Sequence, residues 1–190
     1  MDIDLLGRID NSIETMVAVT SEICRQDVEP DGIDFDIATI EAERIAEDAD
    51  YEGIRVRFRG SLDTAQIVMQ LDIGFGDIVI PSPEPTNYPT LLDFPAPRIR
   101  GYSKESNIAE KFESMVKLGI LNSRMKDFFD IWLMSRRFNF EGATLAEAIS
   151  KTFSTRGTTI QPDPVALTNN FAGDSTKALN GVGSSAKADW

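Results

Sequence analysis

Alternating runs followed by long helical runs predict an α+β chain, a mixed sheet with helices succeeded by a helical C-terminal part. Three observations carry this prediction. Ile54, Val56 and Phe58 interleave with Arg55, Arg57 and Arg59, the pattern of a strand with one buried face. Residues 65–75 are almost continuously apolar, as a strand inside a sheet would be. From Lys104 onward, apolar residues return every three or four positions.

The elements follow in order. Asp2-Ile3-Asp4-Leu5-Leu6 reads as a short strand whose two acids share a face, because strand side chains repeat every second residue. Asn11, with Glu14 three positions on, predicts a capping box. Ile13, Met16, Val17, Thr20, Ile23 and Cys24 continue it as a helix of about four turns, ended by Pro30-Asp31-Gly32. Ile33, Phe35 and Ile37 predict one short strand and Ile78 to Ile80 another, with the strands at 54–58 and 65–75 between them. Pro81 to Pro97 is a long connection that cannot pair throughout as a central strand. Ile108, Phe112 and Met115 line a first C-terminal helix. Met125, Phe128, Phe129, Trp132 and Leu133 mark a second, which Ile131 and Met134 make apolar almost all round. Thr144 and Glu147 are expected to cap a third, running to about Phe153. The tail is rich in Gly, Ser, Ala and Lys without periodicity and is expected to be mobile. The expected organisation is a sheet-containing core over 1–100, a helical part over 101–172 and a tail over 173–190.

Composition narrows the chemistry. The chain has 190 residues, 42% of them hydrophobic, enough for a core. A net charge of −12 argues against sequence-independent nucleic-acid binding and leaves room only for a local basic patch. No apolar run is long enough to span a bilayer and no signal-peptide pattern opens the chain, so a cytoplasmic location with no membrane partner is expected. Cys24 is the single cysteine and reads as core. Histidine is absent, which removes imidazole acid–base chemistry, Ser-His-Asp triads and His-ligated zinc. Chemistry here must run on carboxylates, Lys, Arg, hydroxyls and a recruited metal.

Four places offer that chemistry. Asp2 and Asp4 suit Mg²⁺, a hard cation that takes carboxylates together with phosphate oxygens; a solvated strand edge has the same pattern. Asp72 sits among apolar neighbours and either faces a cation or begins the Gly74/Gly76 turn. A third carboxylate on a neighbouring strand is what a two-metal phosphoryl-transfer site requires. Lys111 lies about 60° round its helix from Ile108, where an ammonium either snorkels to water or enters a cleft. Asp127 and Asp130, three apart, share a helix face and serve either the helix dipole or a polar cleft. Gly60-Ser61, ten residues before Asp72, imitates a phosphate-binding Gly-Ser. It fails because the intervening residues end in a strand and Gly74 stands where a partner acid is needed.

With these pieces in order, the chain resembles the AbiEii-type nucleotidyltransferase toxins of abortive-infection and type IV toxin–antitoxin systems. The matching segments are Asp2-Ile3-Asp4-Leu5-Leu6-Gly7, Tyr51-Glu52-Gly53-Ile54-Arg55-Val56 and Leu71-Asp72-Ile73-Gly74-Phe75-Gly76-Asp77. Tyr88-Pro89-Thr90-Leu91-Leu92-Asp93, Ala109-Glu110-Lys111-Phe112-Glu113 and Ser123-Arg124-Met125-Lys126-Asp127-Phe128-Phe129-Asp130 continue the likeness, which covers about residues 2–172. The resemblance implies a polymerase-beta-like nucleotidyltransferase fold and Mg²⁺-dependent transfer of a nucleotide from an NTP. In some relatives the acceptor is the 3′ end of tRNA. It also implies a cognate antitoxin encoded nearby. It assigns the metal to Asp2, Asp4 and Asp72, the nucleotide phosphates to Lys111, and catalysis to Lys111, Asp127 and Asp130.

Two further expectations come with it. Asp2, Asp4, Asp72, Lys111 and Asp127 should converge on one cleft, and Arg55, Arg57 and Arg59 should occupy the exposed face of their strand as a solvated face or a basic strip for RNA. The family carries a Gly-Ser or Gly-Gly element and a strand before its Asp-x-Asp. Nothing stands there in this chain, and residues 178–190 do not resemble the family's usual ending. These departures point to a shortened gene, a wrong start codon or a truncated piece, with weak activity expected of the 190 residues. The competing reading is a non-enzymatic remnant that keeps the fold and binds a partner protein. An unrelated acidic binding module would require six coincident matches.

Overall fold

The computed structural model describes residues 2–48, 51–91 and 93–177, with the side chains of residues 2, 46–48, 51 and 52 outside that description. The architecture is α+β, and the chain divides into two compact units, Met1–Asp77 and a second beginning at Ile78. The Pro-rich connection therefore belongs with the helices and not with the sheet.

The first unit is a four-stranded mixed sheet carrying one helix. In chain order its elements are β1 (Asp2–Gly7), α1 (Ile13–Cys24), β2 (Ile33–Asp48), β3 (Tyr51–Leu62) and β4 (Ala65–Phe75). The strand order is β1-β4-β3-β2. β1 runs parallel to β4, and the other pairs are antiparallel. β4 is thus interior to the sheet, as its apolar run predicted. Its hairpin with β3 turns through Asp63 and Thr64, with Asp63 at φ 53°, a region aspartate tolerates better than most residues.

α1 begins one residue later than expected. Ser12, not Asn11, is the cap, its hydroxyl accepting from the Thr15 N–H at 3.2 Å. The helix also stops at Cys24, well before Pro30. Asp31 and Gly32 instead launch β2: Asp31 Oδ1 accepts from the Ile33 N–H at 2.9 Å, and Gly32 sits at φ 81°. β2 is far longer than the short strand expected from Ile33, Phe35 and Ile37, and its register shifts between Asp36 and Glu41. That bulge interrupts the alternation, which is why sequence periodicity shows only its first part. The core of this unit is Met16 of α1 against Ile54, Val56, Phe58 and Ile73, with Cys24, Leu71 and Phe75 packed around it. Burying each large side chain contributes about 1.5–3 kcal/mol.

The second unit comprises β5 (Pro85–Asn87), β6 (Arg98–Arg100), α2 (Lys104–Leu118), α3 (Met125–Arg137), α4 (Gly142–Thr155) and α5 (Asn169–Ala172). The strand expected at Ile78 to Ile80 does not form. The Ile80 N–H donates to Ser106 Oγ at 2.7 Å, and its carbonyl accepts from Ser103 Oγ at 2.7 Å, so the hydroxyls at the start of α2 replace a strand partner. β5 and β6 form a short hairpin inside the Pro-rich connection. α4 is capped by Glu141, whose carboxylate accepts from the Ala143 and Thr144 N–H groups, instead of by Thr144 with Glu147.

Phe153 and Met115 are fully buried, with the Phe112 ring 5.4 Å from that of Phe153 and the Phe128 ring stacked 5.3 Å from Phe171. α3 was expected to be buried on most sides, yet it has no fully buried residue and Trp132 is 53% exposed. Of the expected mobile tail, residues 178–190 lie outside the described residues. Residues 173–177 are tied back: Asp174 Oδ1 accepts from the Thr176 N–H, and Lys177 Nζ donates to the Asn122 carbonyl at 2.7 Å.

Phe153→Ala is expected to cost about 3–5 kcal/mol by opening a cavity in this core. Trp132→Ala should cost under about 1 kcal/mol, as surface changes do. Urea unfolding of the two variants beside the parent checks the contrast.

Candidate active site

Register builds the first constellation. Asp4 pairs with Asp72 across the parallel β1–β4 ladder, Asp72 pairs with Arg55, and Arg55 pairs with Glu43. One row thus crosses the sheet as Asp4, Asp72, Arg55, Glu43. It lies on the face opposite Ile54, Val56 and Ile73, which α1 covers. Asp2 pairs with Gln70 one row along; its side chain lies outside the described residues.

Asp72 does not merely begin a turn. Its Oδ1 and Oδ2 accept from Arg55 Nε and Nη2, both at 2.7 Å, and Gln70 Nε2 adds a bond to Oδ2 at 3.2 Å. This fork is the strong form of a carboxylate–guanidinium contact. The Arg55 bonds hold the Asp72 carboxyl below the usual aspartate range and outweigh the opposing effect of burial.

Arg57 bonds Glu43 at 2.9 Å and Gln70 at 3.1 Å, while the Arg59 side chain is exposed. The three arginines do lie opposite buried Ile54, Val56 and Phe58. Two of them are engaged by neighbours that alternation alone could not name.

The donors of this face suit a hard cation. Asp4 and Asp72 are register neighbours with carboxylate oxygens, and a carboxylate that accepts from arginine keeps further lone pairs. Among the described residues, however, no three His, Cys, Asp or Glu side chains gather closely enough to hold a metal ion by themselves. A metal here would rest on Asp4 and Asp72 plus oxygens from a bound ligand.

The second constellation lies between α2 and α3. Lys111 Nζ donates to Asp127 Oδ1 at 3.1 Å and to Asp130 Oδ2 at 2.9 Å, and Lys126 Nζ reaches the same Asp130 oxygen at 3.0 Å. The i, i+3 spacing of the acids lets one ammonium meet both. Lys111 therefore does not snorkel to water. Burial alone would lower its pKa, but the bonds to Asp130 and Asp127 prevail and raise it above the ordinary lysine value. Burial likewise pushes the Asp130 carboxyl up, and Lys111 and Lys126 more than reverse this. The turn before α3 is set by fully buried Asn122, whose Oδ1 accepts from the Arg124 N–H at 2.7 Å.

Sequence reasoning missed what holds α2 on either side of Lys111. Glu113, buried to 1% exposure, accepts from Arg156 Nη1 at 3.2 Å and from Thr158 Oγ1. Arg156 also lies 3.6 Å from Glu110. The only sequence signal was an acid at Glu113 four positions after Ala109, on the buried side of the helix. The structure thus brings Lys111, Asp127 and Asp130 together in the second unit, and sets Asp4 beside Asp72 in the first.

The first unit thus carries a strand-borne Asp-x-Asp beside a third acid, and the second a lysine held by two carboxylates. The amino-acid sequence matches the family model of the nucleotidyl transferase AbiEii toxin of type IV toxin–antitoxin systems over residues 1–182. The chain belongs to this family, and the family implies an antitoxin partner. No curated protein and no solved structure matches it significantly. Among the described residues, no helix is long and apolar enough to cross a membrane.

Asp72→Asn should destabilise the protein by about 1–3 kcal/mol at pH 7, because Arg55 loses a charged partner. The folded pKa of Asp72 lies below its ordinary value of 3.8, so the ion pair's contribution is present above that value and drains away as pH falls further. Urea titrations of parent and variant should diverge fully above about pH 5 and draw together as pH falls below 3.8 through the lowered pKa of Asp72.

Proposed function

We propose that this chain transfers a nucleotidyl group from an NTP to an acceptor hydroxyl, the 3′ end of a tRNA, with Mg²⁺ and in the cytoplasm. The observation that carries the proposal is the Lys111 ammonium held between Asp127 and Asp130. A permanently charged lysine at a site with two acids provides what phosphoryl transfer needs from a protein, which is positioning and charge neutralisation more than covalent chemistry.

Lys111 offsets negative charge on the triphosphate as pyrophosphate departs. Asp130, bonded by both Lys111 and Lys126, holds the ammonium in place. Asp127, bonded among the described residues through Oδ1 to Lys111 alone, is the acid left to orient the acceptor hydroxyl and take its proton as the oxygen bonds the α-phosphorus. Asp2, Asp4 and Asp72 would hold Mg²⁺, which when bound neutralises triphosphate oxygens and polarises the phosphorus. Arg55 orients Asp72 from the side.

One observation favours a second reading, a non-enzymatic remnant that binds a partner protein. Both oxygens of Asp72 are already bonded by Arg55, as in a purely structural ion pair.

Incubation of the full natural chain with labelled NTPs, Mg²⁺ and total tRNA distinguishes the two. Labelled RNA that disappears with a chelator is expected, with Asp4→Ala and Lys111→Ala each lowering the rate at least about 100-fold. A folded protein that labels no RNA with any of the four NTPs supports the remnant. Transfer indifferent to Lys111→Ala would refute the role given to that residue.

A further inference from the structure

The side of α3 turned away from Lys111 is neither a core face nor an ordinary charged surface. By helical rotation Trp132, Arg136 and Phe129 lie about 140–200° round from Asp127. Trp132 is 53% exposed, Phe129 is half-buried, and their ring centroids are 5.7 Å apart. The Arg136 guanidinium lies 5.9 Å from the Trp132 ring. Arg137, exposed, lies about 100° further round than Arg136, towards the Asp130 side, and Phe138 beyond the helix end is 52% exposed. Neither Arg136 nor Arg137 has a carboxylate at ion-pair distance among the described residues.

This helix also departs from the charge of the whole chain. Residues 124–137 carry four cations, Arg124, Lys126, Arg136 and Arg137, against two acids, within a protein of net charge −12. Both acids are Asp127 and Asp130, already bonded to Lys111. What α3 presents outward is therefore cationic and aromatic together.

That combination has a specific complement. A half-exposed ring accepts the face of an unpaired base once the guanidinium over it, that of Arg136, swings out to the adjoining phosphate. A base inside a duplex offers no free face, so the same surface discriminates against paired RNA. An acidic peptide could satisfy the arginines but would leave the indole without a partner. We propose that Trp132 and Arg136, together with Arg137 about 100° further round at the end of α3, form a docking surface for a single-stranded RNA segment, Trp132 stacking a base while the two arginines hold successive phosphates. It rests on the acceptor reading above and assigns the acceptor strand a place. The helix is only about 10 Å across, so a strand held here lies a short reach from the Lys111 side of the same helix.

The chain has two tryptophans, so Trp190→Phe leaves Trp132 as the sole reporter. In that background, without NTP and with a chelator present, a short unpaired oligoribonucleotide should saturably quench Trp132 emission, and a duplex of equal length should not. Anisotropy of the labelled strand gives the affinities of the variants. Trp132→Ala should weaken binding about tenfold or more with the salt slope unchanged, since stacking carries no counterion release. Trp132→Phe should largely restore the affinity. The double change Arg136→Ala with Arg137→Ala should reduce the slope of log K against log salt by about 1.4, at roughly 0.7 for each single-strand phosphate contact.

Circular dichroism confirms that each variant is folded. Absence of quenching by the unpaired strand overturns the proposal. So does affinity indifferent to all three residues, or equal binding of the duplex, of polyglutamate or of anionic vesicles. Because the assay needs no chemistry, failures separate cleanly. An RNA that binds here and is never extended keeps the surface and removes the acceptor reading. Transfer that proceeds unaltered in the α3 variants removes the surface and keeps that reading.

Discussion

The alternation of β3 is the constraint on which the sheet depends. Successive residues of an extended strand face opposite sides, so Ile54, Val56 and Phe58 can be buried under α1 only if Arg55, Arg57 and Arg59 all turn the other way. A slip of one residue would drive three guanidiniums into the core, at several kcal/mol each. With the register held in this way, β4 must present Asp72 to Arg55 and β1 must present Asp4 to Asp72. The polar row is the obligatory reverse of the core.

The helical unit follows a different rule. Its helices enclose charged groups, and each is tolerated because it is paired. Glu113, almost without exposure, is met by Arg156 and Thr158. Lys111, Asp127 and Asp130 satisfy one another across α2 and α3. Removing one member of such a set leaves a charge whose desolvation is no longer offset, so these contacts specify one docking of α2 more than they add net stability. The acids of α3 fix the Lys111 ammonium, and Arg156 fixes the stretch of α2 that carries it.

The same economy explains the outer side of α3. A helix whose acids are turned inward to a lysine, and whose Phe128 already stacks on Phe171, leaves its tryptophan and arginines to solvent.

Much of this architecture was readable in the sequence because it rests on local periods. The α+β class, the limits of β4, the two faces of β3 and the run of C-terminal helices follow from alternation and helical recurrence, which are properties of neighbours along the chain. The acids and the lysine could be picked out for the same reason, as polar residues standing in or beside apolar patterns. Their partners could not. That Asp72 is gripped by Arg55, seventeen residues away, depends on strand register. That Lys111 meets both Asp127 and Asp130 depends on how α2 packs on α3, and that Arg156 reaches Glu113 depends on the end of α4. Ile78 to Ile80 looked like a strand because it is apolar, and only the packing of Ser103 and Ser106 against it decided otherwise. Sequence by itself determined which faces are apolar and which residues are charged. Tertiary structure decided which charges neutralise one another, because a hydrogen bond needs two groups within about 3 Å and that distance is set by the fold.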